Sequence, residues 1–175
     1  FTADKSAFDK NGIQWVINPL DEFALTKAVK LQETQGATVT LVTVGDAAVE
    51  AVMRKALAIG ANDAVRINTE PKDSLTVAKE IAKVAQEGGF DLILCGKESL
   101  DYNGGAVPAM VAQLLNQPFV NASVGLEING SDATVVREIE GGKETVSVKL
   151  PAVIAGQKGL VEEKDLIIPN MRGIM

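Results

Sequence analysis

The chain has 175 residues, of which 46% are hydrophobic and 23% charged, the length and composition of one globular domain with its own core. Its formal net charge of −6 argues against a nucleic-acid partner, which would need a basic face to release phosphate counterions. It has no histidine and a single cysteine, Cys95, which removes the commonest general base, the Ser–His and Cys–His nucleophile pairs, an internal disulfide and a structural zinc site.

Taken in chain order, residues 1–12 are polar and end in the turn signal Asn11-Gly12. Residues 13–17 read as a short strand. Asn18-Pro19 then opens a helix: Asn suits an N-cap, Pro the first helical position, and Asp21 and Glu22 the first turn. Leu20, Phe23, Ala24, Ala28 and Leu31 recur at helical spacing until Gly36. The β-branched run 38–44 is a buried strand ending at Val44. Gly45-Asp46 starts a second helix that stops at Gly60, and 64–67 is a short strand. Asp73-Ser74 caps a third helix, followed by Gly88-Gly89 and the nearly continuous apolar strand 90–95. A polar, glycine-rich loop, 96–105, leads into a fourth helix, 106–115.

This strand–helix alternation predicts a doubly wound, mostly parallel α/β sheet. The pattern then changes. Residues 120–128, 133–139 and 145–148 read as strands, with Asn129-Gly130 and Gly141-Gly142 as hairpin turns, and 151–155 as a further buried strand. The chain thus reads as one domain, 1–175, with a β-hairpin excursion at about 120–150. No window approaches the roughly 18 apolar residues of a membrane span, so no direct membrane insertion is expected. Only 4% of residues are aromatic, so the core is expected to be mostly Ala, Val, Leu and Ile.

The loop around Gly96, Lys97, Asp101, Asn103, Gly104, Gly105, Ala106 and Val107 follows a strand and opens a helix, where ligands sit in open α/β sheets. Gly104 and Gly105 would let backbone N–H groups approach a phosphate, with the helix dipole in support. The loop matches neither GxGxxG nor GxxxxGK[ST], so on its residues alone it reads equally as a plain connection. The start at Asn18–Asp21 serves either a ligand or simple capping. Cys95 reads as a core residue. Glu138, Glu140 and Glu144 fall on the hairpin and form no catalytic carboxylate pair.

Over 135–155 the chain reads Val135-Val136-Arg137-Glu138-Ile139-Glu140-Gly141-Gly142-Lys143-Glu144-Thr145-Val146, then 147–150, then Pro151-Ala152-Val153-Ile154-Ala155. A basic residue, an acidic residue, a glycine pair, Glu, an aliphatic residue, a spaced Pro and an aliphatic pair follow one another without a break. With Asn18-Pro19-Leu20-Asp21-Glu22, Ala56-Leu57-Ala58-Ile59-Gly60-Ala61, Gly96-Lys97 and the segment from Leu160 to Asn170, this resembles the electron-transfer flavoprotein β-subunit family over nearly the whole chain.

The resemblance implies a Rossmann-like, adenine nucleotide α-hydrolase-like fold and a subunit that carries electrons rather than an enzyme. Its partners would be an electron-transfer flavoprotein α subunit holding most of a redox FAD near the interface, and flavin dehydrogenases such as acyl-CoA dehydrogenases. Asn18, Pro19, Leu20, Asp21, Val44 and the loop residues Gly96, Lys97, Asp101, Asn103, Gly104, Gly105, Ala106 and Val107 would hold AMP, or a second FAD in an electron-bifurcating member. Leu160 corresponds to the anchor of a recognition loop at about 156–170, with burial under the loop as its plain alternative. Glu127 corresponds to a glutamate that pairs with the α subunit. A bacterial cytoplasm is expected, or a mitochondrial matrix.

Two departures stand out. The family's strand upstream of Phe1 and its arm beyond Met175 are not in this sequence, which points to a fragment. The loop also lacks the polar run of AMP-binding members and the Asp-Gly-Asp-Thr-Ala-Gln run of bifurcating ones. Two other classes compete. A universal-stress-type nucleotide-binding protein would carry a Gly-x2-Gly-x9-Gly-Ser/Thr loop that does not fit 96–107. An ATP-using, carboxylate-activating enzyme would need a Ser-Gly-Gly loop after the upstream strand.

Overall fold

A computed structural model describes residues 1–169; Asn170, the end of the expected Leu160–Asn170 segment, lies outside the described residues. Four α-helices, α1 (Pro19–Gln35), α2 (Glu50–Ile59), α3 (Ser74–Gly88) and α4 (Val107–Leu115), alternate with strands β1 (Thr40–Val44), β2 (Asp63–Ile67) and β3 (Leu92–Gly96). The antiparallel run β4 (Phe119–Asn129), β5 (Asp132–Ile139) and β6 (Gly142–Lys149) follows, and then β7 (Ala152–Gly156). The strands form a two-stranded sheet, β1-β2, and a five-stranded sheet in the order β3-β7-β4-β5-β6. Strands β1 and β2, β3 and β7, and β7 and β4 pair in parallel, whereas β4–β5 and β5–β6 are antiparallel.

Strand β7 explains the layering. Its Ala-Val-Ile-Ala-Gly sequence is buried at every residue because helices cover both faces. Ala152 and Ile154 join the cluster with Phe23 and Leu31 of α1, while Val153 joins Ala78 of α3 and Val111 and Ala112 of α4. The same alternation brings Leu126, Ala133 and Val135 of the hairpin strands into the α1 cluster. A separate cluster of Leu25, Val29, Val39, Ala56 and Ile59 holds α1, β1 and α2 together.

The structure corrects the sequence reading at several points. Residues 13–17 are not a strand. Only Ile17 packs inward, while Trp15 and Val16 are 38% and 65% exposed. The second helix begins with a 3₁₀ turn, Ala47–Val49, because the Asp46 side chain accepts from the Ala48 amide. The hairpin turns sit one residue off the expected pairs: Asn129 faces Asp132, and Ile139 faces Gly142. That places Gly130 (φ 61°) and Gly141 (φ 82°) in the left-handed conformation a two-residue turn demands.

Candidate functional site

The C-terminal ends of β3 and β7 lie side by side, Gly96 opposite Gly156, and the Lys97 amide continues the pairing onto the Gly156 carbonyl at 2.9 Å. The first turn of α1 packs directly onto this edge. A Cβ added to Gly96 would stand 2.8 Å from the Leu20 Cβ and 3.0 Å from the Asp21 backbone nitrogen. Glycine is therefore required at position 96 by close approach, not by backbone angle.

Asn18 and Asp21 stitch this junction. The Asp21 carboxylate accepts from the Gly96 amide at 2.7 Å and from the Asn18 side-chain amide at 2.8 Å. Asn18 also donates to the Glu98 carbonyl at 2.8 Å and accepts from the Leu100 amide at 3.2 Å. Asn18 occupies the N-cap position of α1 but makes no side-chain capping bond. Its polar atoms serve the loop instead. The Leu100 amide and Glu98 carbonyl were missed from sequence, since backbone groups some 80 positions away leave no residue-type signal. Burial raises the Asp21 pKa above the ordinary carboxylate range, with the Gly96 and Asn18 hydrogen bonds opposing the shift.

The loop itself is tightly folded. The Ser99 amide donates to the Gly104 carbonyl at 3.1 Å, Asp101 accepts from the Ser99 hydroxyl and the Tyr102 amide, and Asn103 is left-handed at φ 56°. The ring of Tyr102 lies against Gly104 where a Cβ would be, and its hydroxyl meets the Ser74 hydroxyl at 3.2 Å. The open approach expected at Gly104 is thus covered on one side. Gly105 remains accessible, with the Lys97 carbonyl as its near neighbour. Lys97 makes no salt bridge among the described residues.

The helix starts divide into two kinds. Asp46 and Asp73 cap the 3₁₀ turn and α3 through the Ala48 and Thr76 amides. Neither α1 nor α4, the two helices that begin at this edge, has a side-chain cap. In α1 the Asp21 and Glu22 amides already donate to the Asn18 carbonyl and Pro19 has no N–H, so the first-turn amides open to an anion are those of Val107 and Ala109 in α4, at the positive end of its dipole.

Other expected site residues lie apart. Val44 closes β1 in the smaller sheet, and no hydrogen bond ties it to the loop. Glu127 is exposed on β4 at a cleft of about 390 Å³ with Lys27 and Lys30 of α1; neither that cleft nor one of about 290 Å³ near Phe90 and Pro151 includes the loop. Leu160 is 5% exposed and packs on Gly156, so burial under the loop, and not an exposed anchor, is what the structure gives. The cause is sequence order. Gly156 has no side chain, and the space above it is filled by the next leucine to return. The Cys95 thiol donates to the Ile154 carbonyl at 3.8 Å, and burial pushes its pKa up.

No group of three potential metal ligands occurs among the described residues, nor is any helix there long and apolar enough to cross a membrane. Parallel strands whose C-terminal ends meet two uncapped helix starts and a glycine loop define a doubly wound α/β domain with its candidate site where that class holds ligands. The electron transfer flavoprotein domain model matches residues 6–173. Electron transfer flavoprotein β subunits align along most of the chain. That of Bacillus subtilis is 38% identical over 94% of this chain and 65% of its own length. That of Bradyrhizobium diazoefficiens is 34% identical over 96% and 68%, and the human one 32% over 96% and 68%. The chain belongs to the electron-transfer flavoprotein β-subunit family, and it spans about two thirds of the length of these relatives.

Proposed function

We propose that this chain acts as the β subunit of a heterodimeric electron-transfer flavoprotein and holds one adenine nucleotide, AMP, in a structural role. The observation that supports the nucleotide assignment is the uncapped start of α4, which follows the glycine loop that leaves the Gly96–Lys97 edge. These residues fit a phosphomonoester. The Val107 and Ala109 amides of α4 would supply donors and Lys97 charge, and exposed Gly105 allows close backbone approach. Tyr102 against Gly104 favours a mononucleotide over a second FAD, since a dinucleotide needs room beyond its first phosphate.

The redox FAD of the heterodimer would lie mainly in the α subunit. When bound, that flavin supplies the electron chemistry. This chain would contribute a wall, a fixed nucleotide and orientation, a role that needs no histidine or activated nucleophile. The electron donors would be flavin dehydrogenases such as acyl-CoA dehydrogenases, met in a bacterial cytoplasm or a mitochondrial matrix. The proposed part is that of a carrier, not of a bond-making enzyme.

The test is co-production of the natural-length β chain with its α subunit. A 1:1 complex with one FAD and one AMP is expected on chromatography of the released nucleotides. Two FAD per heterodimer would replace the AMP reading with the bifurcating one. Failure to form a flavin-containing complex would overturn the proposal.

A further inference from the structure

Asn18 and Asp21 have no polar side-chain atom left over. Both hydrogens of the Asn18 amide are donated, to Asp21 and to the Glu98 carbonyl, and its oxygen accepts from Leu100. Both Asp21 oxygens accept, one from Gly96 and one from Asn18. The direction of every bond in this chain is set. The Leu100 N–H and the Glu98 C=O allow the Asn18 amide one orientation only, which points an N–H at residue 21. The Gly96 amide points a second N–H at the same residue. Position 21 must therefore accept at both ends, which a carboxyl group, with an oxygen at each end, can do and an amide cannot.

We propose that Asp21 is a positioning residue of the nucleotide site, acting through Asn18 to hold the backbone at 98–100, and with it the loop that carries Lys97 and the start of α4. The proposal rests on the adenine-nucleotide reading above and deepens it: Asn18 and Asp21 shape the site through their side chains rather than touching the nucleotide with them. An asparagine at position 21 has nearly the same shape, yet whichever way its amide turns, an N–H faces either Gly96 or Asn18. One bond is lost and two donors confront each other. The loss of a hydrogen bond to a charged acceptor in a partly buried setting corresponds to about a tenfold to hundredfold change in an equilibrium.

The experiment uses the intact heterodimer and reads two quantities, AMP release and hydrogen exchange of the Leu100 amide. Asp21→Asn and Asn18→Ala are each expected to release AMP about tenfold or more faster and to lose protection at Leu100. In the Asn18→Ala background, Asp21→Asn should add little, because the path runs through Asn18. Fully additive effects on release would overturn the proposal, as would unchanged release in both single variants. Should the unmodified heterodimer hold no adenine nucleotide, the functional reading fails by itself. The exchange readout then decides the latch: retained Leu100 protection in Asp21→Asn rejects it, and lost protection with an otherwise intact exchange pattern supports it. If Asp21→Asn does not fold, Asn18→Ala carries the same two readouts.

Discussion

Gly96 and Leu160 are the two residues at which the site edge is most sensitive to volume. Gly96→Ala would drive its methyl group to 2.8 Å from the Leu20 Cβ and 3.0 Å from the Asp21 backbone nitrogen, and the latter cannot swing away. A destabilisation of about 1–3 kcal/mol is expected from denaturant unfolding, the usual cost of overpacking. Leu160→Ala should cost about 2–5 kcal/mol, since the side chain is buried over Gly156 and its removal leaves a cavity. A loss under about 0.5 kcal/mol would show that Leu160 leaves this place in solution. Asp21 gives a pH signature of definite sign. Its folded pKa lies above the unfolded one, so the fold binds the proton more tightly. Its contribution to stability is therefore greatest at low pH and declines as pH rises from the ordinary carboxylate range through the raised value. The stability difference between the native chain and Asp21→Asn, followed against pH by unfolding, should show that decline. Asp46 and Asp73, held below the usual range by the Ala48 and Thr76 amides, act in the opposite direction but are common to both chains and cancel.

At the scale of elements, the helix boundaries were the most readable part of the chain. Asp73 caps α3 as its residue type suggests, and Gly36 and Gly89 end α1 and α3 in the left-handed conformation, because caps depend on neighbours in sequence. Strand β4 shows what local reading misses. Its register shifts between Val120 and Ser123 against β7, and between Ser123 and Gly125 against β5. At the bulge Ala122 takes φ 54°, a left-handed backbone that alanine disfavours. Nothing about an alanine announces this; the bulge exists because β4 must leave its parallel partner β7 and continue with β5 alone. Ala122→Gly should relieve the strain and, after the entropy cost of glycine, stabilise by about 0.5–1 kcal/mol in thermal or denaturant unfolding. Destabilisation by that variant would mean that the alanine methyl group packs usefully at the bulge.

For the whole molecule, a bound nucleotide would bridge elements that sequence separates widely, α1 with the 96–107 loop. A ligand that binds only the folded heterodimer stabilises it by mass action. AMP at about 100 times its dissociation constant should raise the unfolding free energy by about 2.7 kcal/mol, read as an upward shift of the thermal midpoint of the nucleotide-stripped complex. No shift at any AMP concentration would count against the nucleotide reading. The alternating strand and helix pattern, the apolar run of β3, the turn glycines and the 135–155 motif were enough to determine an α/β domain and its family. Each of these is a statement about residues close together in the chain, where spacing and side-chain type act directly. The tertiary structure decided the rest. It placed β7 between β3 and β4, left residues 13–17 without a strand partner, buried Leu160 and laid Tyr102 on Gly104. It also tied the side chains of Asn18 and Asp21 to the backbone of Gly96, Glu98 and Leu100. The reason is physical: those outcomes depend on which backbone groups and empty volumes arrive beside a residue from distant parts of the chain, and a one-dimensional pattern does not encode that meeting.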